Sequence, residues 1–182
     1  MSLVNADSGL DAPWRVRLSL WWQDRAPKAR RRMPWAIAAL MVVVIASQHV
    51  ALAWVMTESV GASAVLVLKG SPPRKGELFA FEYQGREAGT HRKGELFVKF
   101  LAGVPGDQVV RDGRTFSIDG RSLGTAKTAS LSGVALEAAN PGVIPDGYLY
   151  AYAPHKDALD SRYALMGLVP RASVIGRAIK LF

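Results

Sequence analysis

Ser71 and Lys99 are the residue types from which a proton-transfer pair can be built. A serine hydroxyl is a weak nucleophile until a base takes its proton. Lysine serves as that base only when neutral, and its ordinary pKa of about 10.4 keeps it charged near pH 7. Burial among apolar groups disfavours the ammonium and lowers that pKa. The run 96–101 reads LFVKFL, and in a strand Phe97, Lys99 and Leu101 point to one face. Lys99 then lies between two large apolar side chains. The competing reading is an exposed lysine guarding an edge strand, and periodicity alone favours it. Ser71 sits in KGSPPRKG, residues 69–76, where it also reads as an ordinary turn serine ahead of prolines. Ser59 and Ser63 are the alternative nucleophiles. His155 with Asp157 or Asp160 offers a Ser-His-Asp arrangement, which would leave the lysine unexplained.

These side chains need a frame, and the pattern predicts a mostly β one of barrel or sandwich type over residues 57–182. VLVL at 65–68, LFAFEY at 78–83, LFVKFL at 96–101 and YLYAY at 148–152 carry the β-branched and aromatic enrichment of strands. Val109–Arg111 and Thr115–Ile118 flank Asp112-Gly113 and read as a hairpin. Asp119-Gly120 marks a further turn, and 173–182 is expected to supply a last strand. Residues 125–140 have no clear period and read as a loop or brief helix. KGELF occurs at 75–79 and again at 93–97, which suggests two similar turn-to-strand passages rather than a repeat architecture.

The N-terminal third is different. Trp35–Met56 carries no formal charge, and about 20 such residues span a hydrocarbon core. Lys28, Arg30, Arg31 and Arg32 precede it, and Thr57, Glu58 and Ser59 follow. The positive-inside bias therefore puts the N-terminus in the cytoplasm and the rest outside. The expected organisation is a basic cytoplasmic segment over 1–33, a transmembrane helix over 34–56 and an extracytoplasmic β catalytic domain over 57–182. Trp14, Leu18, Trp21 and Trp22 recur at helical spacing within Asp11–Gln23, as in a helix lying in the inner-leaflet interface or docking a cytoplasmic partner.

The chain has 182 residues, a net charge of +8 and no cysteine. That excludes disulfide frameworks and thiolate nucleophiles and argues against a zinc site. Basic charge beside an apolar span points to anionic lipid, and no nucleic-acid partner is expected. No metal-spaced cluster, Walker loop or dinucleotide fingerprint is present, so no cofactor is expected.

Lys99-Phe100-Leu101-Ala102-Gly103-Val104-Pro105-Gly106-Asp107 resembles the lysine box of type I signal peptidases, in which three residues separate a lysine from a Gly–apolar–Pro–Gly–Asp turn. Leu159-Asp160-Ser161-Arg162-Tyr163, followed by Gly167, Val169-Pro170 and Gly176-Arg177-Ala178, resembles the C-terminal box of that family. The resemblance covers most of residues 65–178 at low density. The short chain and single anchor look more like the TraF-type branch, the conjugative-transfer peptidases that mature or cyclise pilins.

The resemblance implies Lys99 as general base, Ser71 as nucleophile, and Asp160, Ser161 and Arg162 as supports. It implies an oxyanion site using the Ser71 N–H, with Lys69 as a further candidate. It also implies an inner-membrane peptidase acting on membrane-inserted preproteins or propilins, beside conjugation or secretion machinery. The sequence departs from the family at Pro72, where an apolar side chain usually follows the serine, and at Lys69, where a hydroxyl usually stands. Ala153-Pro154-His155 replaces a Gly–Asp–Asn stretch, and extra residues separate Tyr163 from Gly167. These departures motivate the alternative, a catalytically inactive scaffold subunit of such machinery.

Overall fold

A computed structural model describes residues 14–54, 60, 61, 63–86 and 91–181, with side chains from residue 30 onward. The chain divides into two compact units after Ala46. The first is carried by helix α1, Trp14–His49. Its stretch Arg30–His49 is long and apolar enough to cross a membrane. Trp35, Leu40, Val42, Val43 and Ile45 are all exposed. Apolar side chains around a whole helix circumference suit lipid rather than water. The side-chain pattern expected over Asp11–Gln23 lies outside the described residues, as do Thr57, Glu58 and Ser59.

The apolar run expected to stay helical to Met56 changes structure at His49. Val50–Trp54 forms strand β1, paired antiparallel along its whole length with β2, Ala64–Lys69. An unpaired β2 edge would leave a row of backbone donors and acceptors unsatisfied, and β1 covers it.

The second unit is antiparallel β throughout. The strands after β2 are β3 (Leu78–Glu82), β4 (Leu96–Gly103), β5 (Gln108–Asp112), β6 (Thr115–Ile118) and β7 (Arg121–Thr125). They continue as β8 (Gly142–Val143), β9 (Tyr148–Tyr152), β10 (Val169–Pro170) and β11 (Val174–Lys180). One sheet has the order β1-β2-β11-β3-β4-β9-β10 and the other β7-β6-β5-β8. This is the mostly β fold behind one apolar helix that the sequence predicts. Strand β7 was not legible, because RSLGT lacks β enrichment. The positive φ angles of Asp119 (50°) and Gly120 (73°) make a tight turn that pairs it with β6. Residues 126–141 form a loop held by isolated bridges at Ala129–Ala135 and Ala138–Tyr163.

Two apolar clusters matter for the site. Phe79, Phe81, Tyr83, Leu101 and Leu149 pack on one face of the larger sheet. Val109, Phe116, Ile118 and Leu123 of the smaller sheet pack with Tyr150 and Tyr163. The two KGELF segments lead into adjacent strands β3 and β4, which pair with each other, so the duplication is a hairpin motif.

Strand β11 lies between β2 and β3, and Gly176 pairs with Lys69 on one side and Ala80 on the other. The backbones approach so closely that a Cβ on Gly176 would lie 2.0 Å from the Leu68 carbonyl oxygen. Only glycine fits, because the obstacle is backbone. Gly176→Ala is expected to part β2 from β11 and destabilise the β unit by about 1–3 kcal/mol. A urea midpoint within error of the parent's would contradict that close approach.

Candidate active site

Ser71 follows β2 in a loop anchored on both sides. The Gly70 N–H donates to the Ile175 carbonyl at 2.8 Å, and the Arg177 N–H donates to the Ser71 carbonyl at 2.9 Å. The loop then reaches β4, where the Gly76 N–H donates to the Leu101 carbonyl at 2.7 Å. Ser71, Pro72, Leu101 and Val104 line one cleft of about 270 Å³. The serine loop and the lysine strand thus meet at one cavity.

Lys99 lies two residues along β4 from Leu101, opposite Phe79 in the β3 register. It is only 5% exposed. Its amine is 5.7 Å from the centre of the Phe97 ring. The exposed edge-strand reading therefore fails: β4 is an interior strand between β3 and β9. Burial lowers the Lys99 pKa to about 8, with Asp160 pulling it up and Arg162 pushing it further down. Among the described residues no hydrogen bond joins Ser71 and Lys99. Catalytic hydrogen bonds often tighten only when substrate is bound.

Asp160, Ser161 and Arg162 are 0%, 1% and 4% exposed. The Arg162 guanidinium forks onto the Asp160 carboxylate at 2.8 and 2.9 Å. It also donates to the Leu123 carbonyl at 2.9 Å and the Ala153 carbonyl at 3.2 Å. Burial opposes the Arg162 cation, but the hydrogen bond and charge of Asp160 outweigh it and raise its pKa. Asp160 also accepts from the Ala153 N–H, and Ser161 exchanges two hydrogen bonds with the Ala151 backbone. All three residues therefore fasten β9, the neighbour of the lysine strand.

Lys69 is exposed, and its amine donates to the Ser47 carbonyl at 2.9 Å. That carbonyl lies in the last turn of α1, where a cation is favoured. The Ser71 N–H, expected as an oxyanion donor, makes a 3.3 Å bond to the Leu68 carbonyl. His155 is exposed, and its Nδ1 accepts from the Asp157 backbone. Asp157 pairs with Lys127. Asp160 is committed to Arg162, so among the described residues no Ser-His-Asp arrangement forms around His155. Ser63 is exposed and Ser59 lies outside the described residues.

Lys75 makes a contact near the site that sequence reasoning missed. It pairs with Asp107 at 2.6 Å and also with Asp119. Asp107 in turn accepts from the Val104 N–H at 2.8 Å. Burial works against the Asp107 carboxylate, but Lys75 and the Val104 N–H together hold its pKa below the usual range. This pair ties the serine loop to the turn that ends the lysine strand. The signal was the aspartate closing the Gly-Val-Pro-Gly-Asp turn, which needs a partner.

The site is thus a serine-lined cleft beside the strand that carries a buried lysine. Residues 30–182 match the signal peptidase family, peptidase S26, and the chain belongs to that family. It is accordingly a serine peptidase of signal peptidase type, a class that acts on preproteins. No curated protein matches the chain. Among solved structures, a signal peptidase I from Enterococcus faecalis V583 is similar at 22% identity, with a TM-score of 0.38, over 59% of this chain and 97% of that one.

A lysine with its pKa lowered from 10.5 to about 8 costs the folded state up to about 3 kcal/mol. Between these values the unfolded chain binds more protons than the native one, so stability rises with pH there. The full cost is present below about pH 8. Lys99→Met is therefore expected to stabilise the protein at pH 7 by roughly 2–3 kcal/mol, with the gain vanishing by about pH 10.5. Denaturant unfolding of parent and variant at both pH values checks this. A variant less stable than the parent at pH 7 would contradict it.

Proposed function

We propose that Ser71 and Lys99 form a Ser-Lys dyad in an endopeptidase anchored by α1, with the β unit outside a bacterial-type inner membrane and residues 1–33 in the cytoplasm. The observation that carries this reading is the burial of Lys99, which favours the uncharged amine a base requires. With a pKa near 8, about a tenth of the molecules hold neutral Lys99 at pH 7.

Neutral Lys99 takes the proton of Ser71 Oγ as that oxygen attacks the scissile carbonyl carbon. The oxyanion gathers beside the Ser71 N–H, whose long bond to Leu68 is readily exchanged. Collapse breaks the C–N bond, and the Lys99 ammonium returns its proton to the leaving amine. The acyl-enzyme ester is then opened by water. Opening by a substrate amine instead would give a cyclic product, as the TraF-type reading implies. Substrates on this reading are membrane-inserted preproteins or propilins, laid beside the cleft as an added strand. The apolar anchor raises local enzyme concentration against them.

A second reading, an inactive scaffold subunit of a conjugation or secretion apparatus, is favoured by Pro72, which offers no N–H after the serine. The two readings part on mutation. Ser71→Ala and Lys99→Ala are each expected to cut substrate maturation by roughly 10³-fold or more, and the parent rate to climb about tenfold per pH unit before levelling above pH 8. Maturation at the parental rate in both variants would leave the scaffold reading. Mass spectrometry separates the two endings, since a linear product is one water heavier than the ring.

A further inference from the structure

Arg171 lines the same cleft as Ser71. It opens the 3-10 turn Arg171–Ser173, between β10 and β11. Its backbone is fixed, because its N–H donates to the Gly147 carbonyl at 2.8 Å and the Ser173 hydroxyl closes the turn on the Pro170 carbonyl at 2.7 Å. Its side chain is exposed. Among the described residues no carboxylate forms an ion pair with it. Lys75 and Arg177, which flank the serine loop, are by contrast both paired, with Asp107 and Asp119 and with Glu77.

The rest of the cleft sharpens the contrast. Its lining has no acidic residue, and apart from Ser71 and Arg171 it consists of glycine, proline and aliphatic residues. A guanidinium on an apolar cleft has little local competition for a visiting anion. Its planar fork matches a carboxylate with two parallel hydrogen bonds. Because the side chain is exposed, solvent screens the pair and its effect on binding is modest.

We propose that Arg171 is a specificity-determining residue that binds a carboxylate of the peptide beside the scissile bond, so that the enzyme favours substrates acidic there. This rests on the reading that the cleft holds the substrate for Ser71. The carboxylate belongs either to an Asp or Glu side chain or to the free C-terminus of a short trailing segment. The chemistry at Arg171 is the same in both cases.

The test uses the full chain in detergent micelles and quenched-fluorescent peptides with a small residue before the scissile bond. One set carries Asp, Asn or Lys at single positions on either side of that bond. A second set ends shortly after it in a free acid or an amide. The parent is expected to process the best acidic peptide about five- to tenfold more efficiently than its neutral counterpart, chiefly through KM, with the lysine peptide last. An Asp preference assigns a side-chain carboxylate, and a free-acid preference assigns the C-terminus. Arg171→Gln levels the acidic and neutral peptides, and Arg171→Glu inverts the order in favour of lysine. An arginine with only a structural role would lower all peptides together. The same ranking in parent and Arg171→Glu overturns the proposal. Anisotropy binding of the same peptides to Ser71→Ala reads the ranking without turnover. Cleavage by Ser71→Ala at the parental rate would instead bring down the nucleophile reading, so the two failures are distinguishable.

Discussion

The ion pair of Asp160 and Arg162 is the interaction on which the site depends. Arg162 reaches the Leu123 carbonyl in the smaller sheet and the Ala153 carbonyl at the end of β9 in the larger one, so one side chain joins both sheets. Two ions taken out of water are tolerable only when each satisfies the other, and their remaining donors and acceptors must also be used. Here the carboxylate also accepts from the Ala153 and Arg162 backbones. The pair has an electrical consequence as well. Asp160 favours the proton on Lys99, whereas Arg162 pushes the other way. With both present their effects on the lysine oppose each other, and burial decides the outcome.

The second constraint joins two segments that are distant in sequence. The Lys75–Asp107 pair and the Gly76–Leu101 hydrogen bond hold the serine loop to the lysine strand. Lys75 is partly exposed, so this tie is modest in energy and acts on geometry. The large cost lies elsewhere, in the burial of Lys99. That burial is a liability for a fold that needs only stability. Sites that tune a base commonly carry such local conflicts.

Much of this was legible in the sequence, and the exceptions have physical causes. The strands around Phe79, Phe97 and Tyr150 announce themselves by aromatic enrichment, and Gly-Val-Pro-Gly-Asp after Lys99 marks a turn that only the resemblance linked to chemistry. Periodicity could not tell a buried lysine from an edge lysine, because that depends on which strands flank β4, a matter of long-range pairing. β1 was hidden inside an apolar run whose composition suits a helix in lipid as well as a strand against β2. Lys75 and Arg171 stayed silent because a lone cation carries no pattern. Their meaning lies in what stands opposite, or in the absence of a partner.

The position of β11 has a consequence for biosynthesis. Residues Ile175 and Arg177 hold the backbone around Ser71, and Gly176 pairs with Lys69 across 107 positions of sequence. Loop-closure entropy must be met before so remote a contact forms. A nascent chain emerging N-terminus first would carry its serine turn unbraced until β11 threads between β2 and β3. The walls of the cleft therefore come together only once β11 has been made and paired, well after the serine turn itself has left the ribosome.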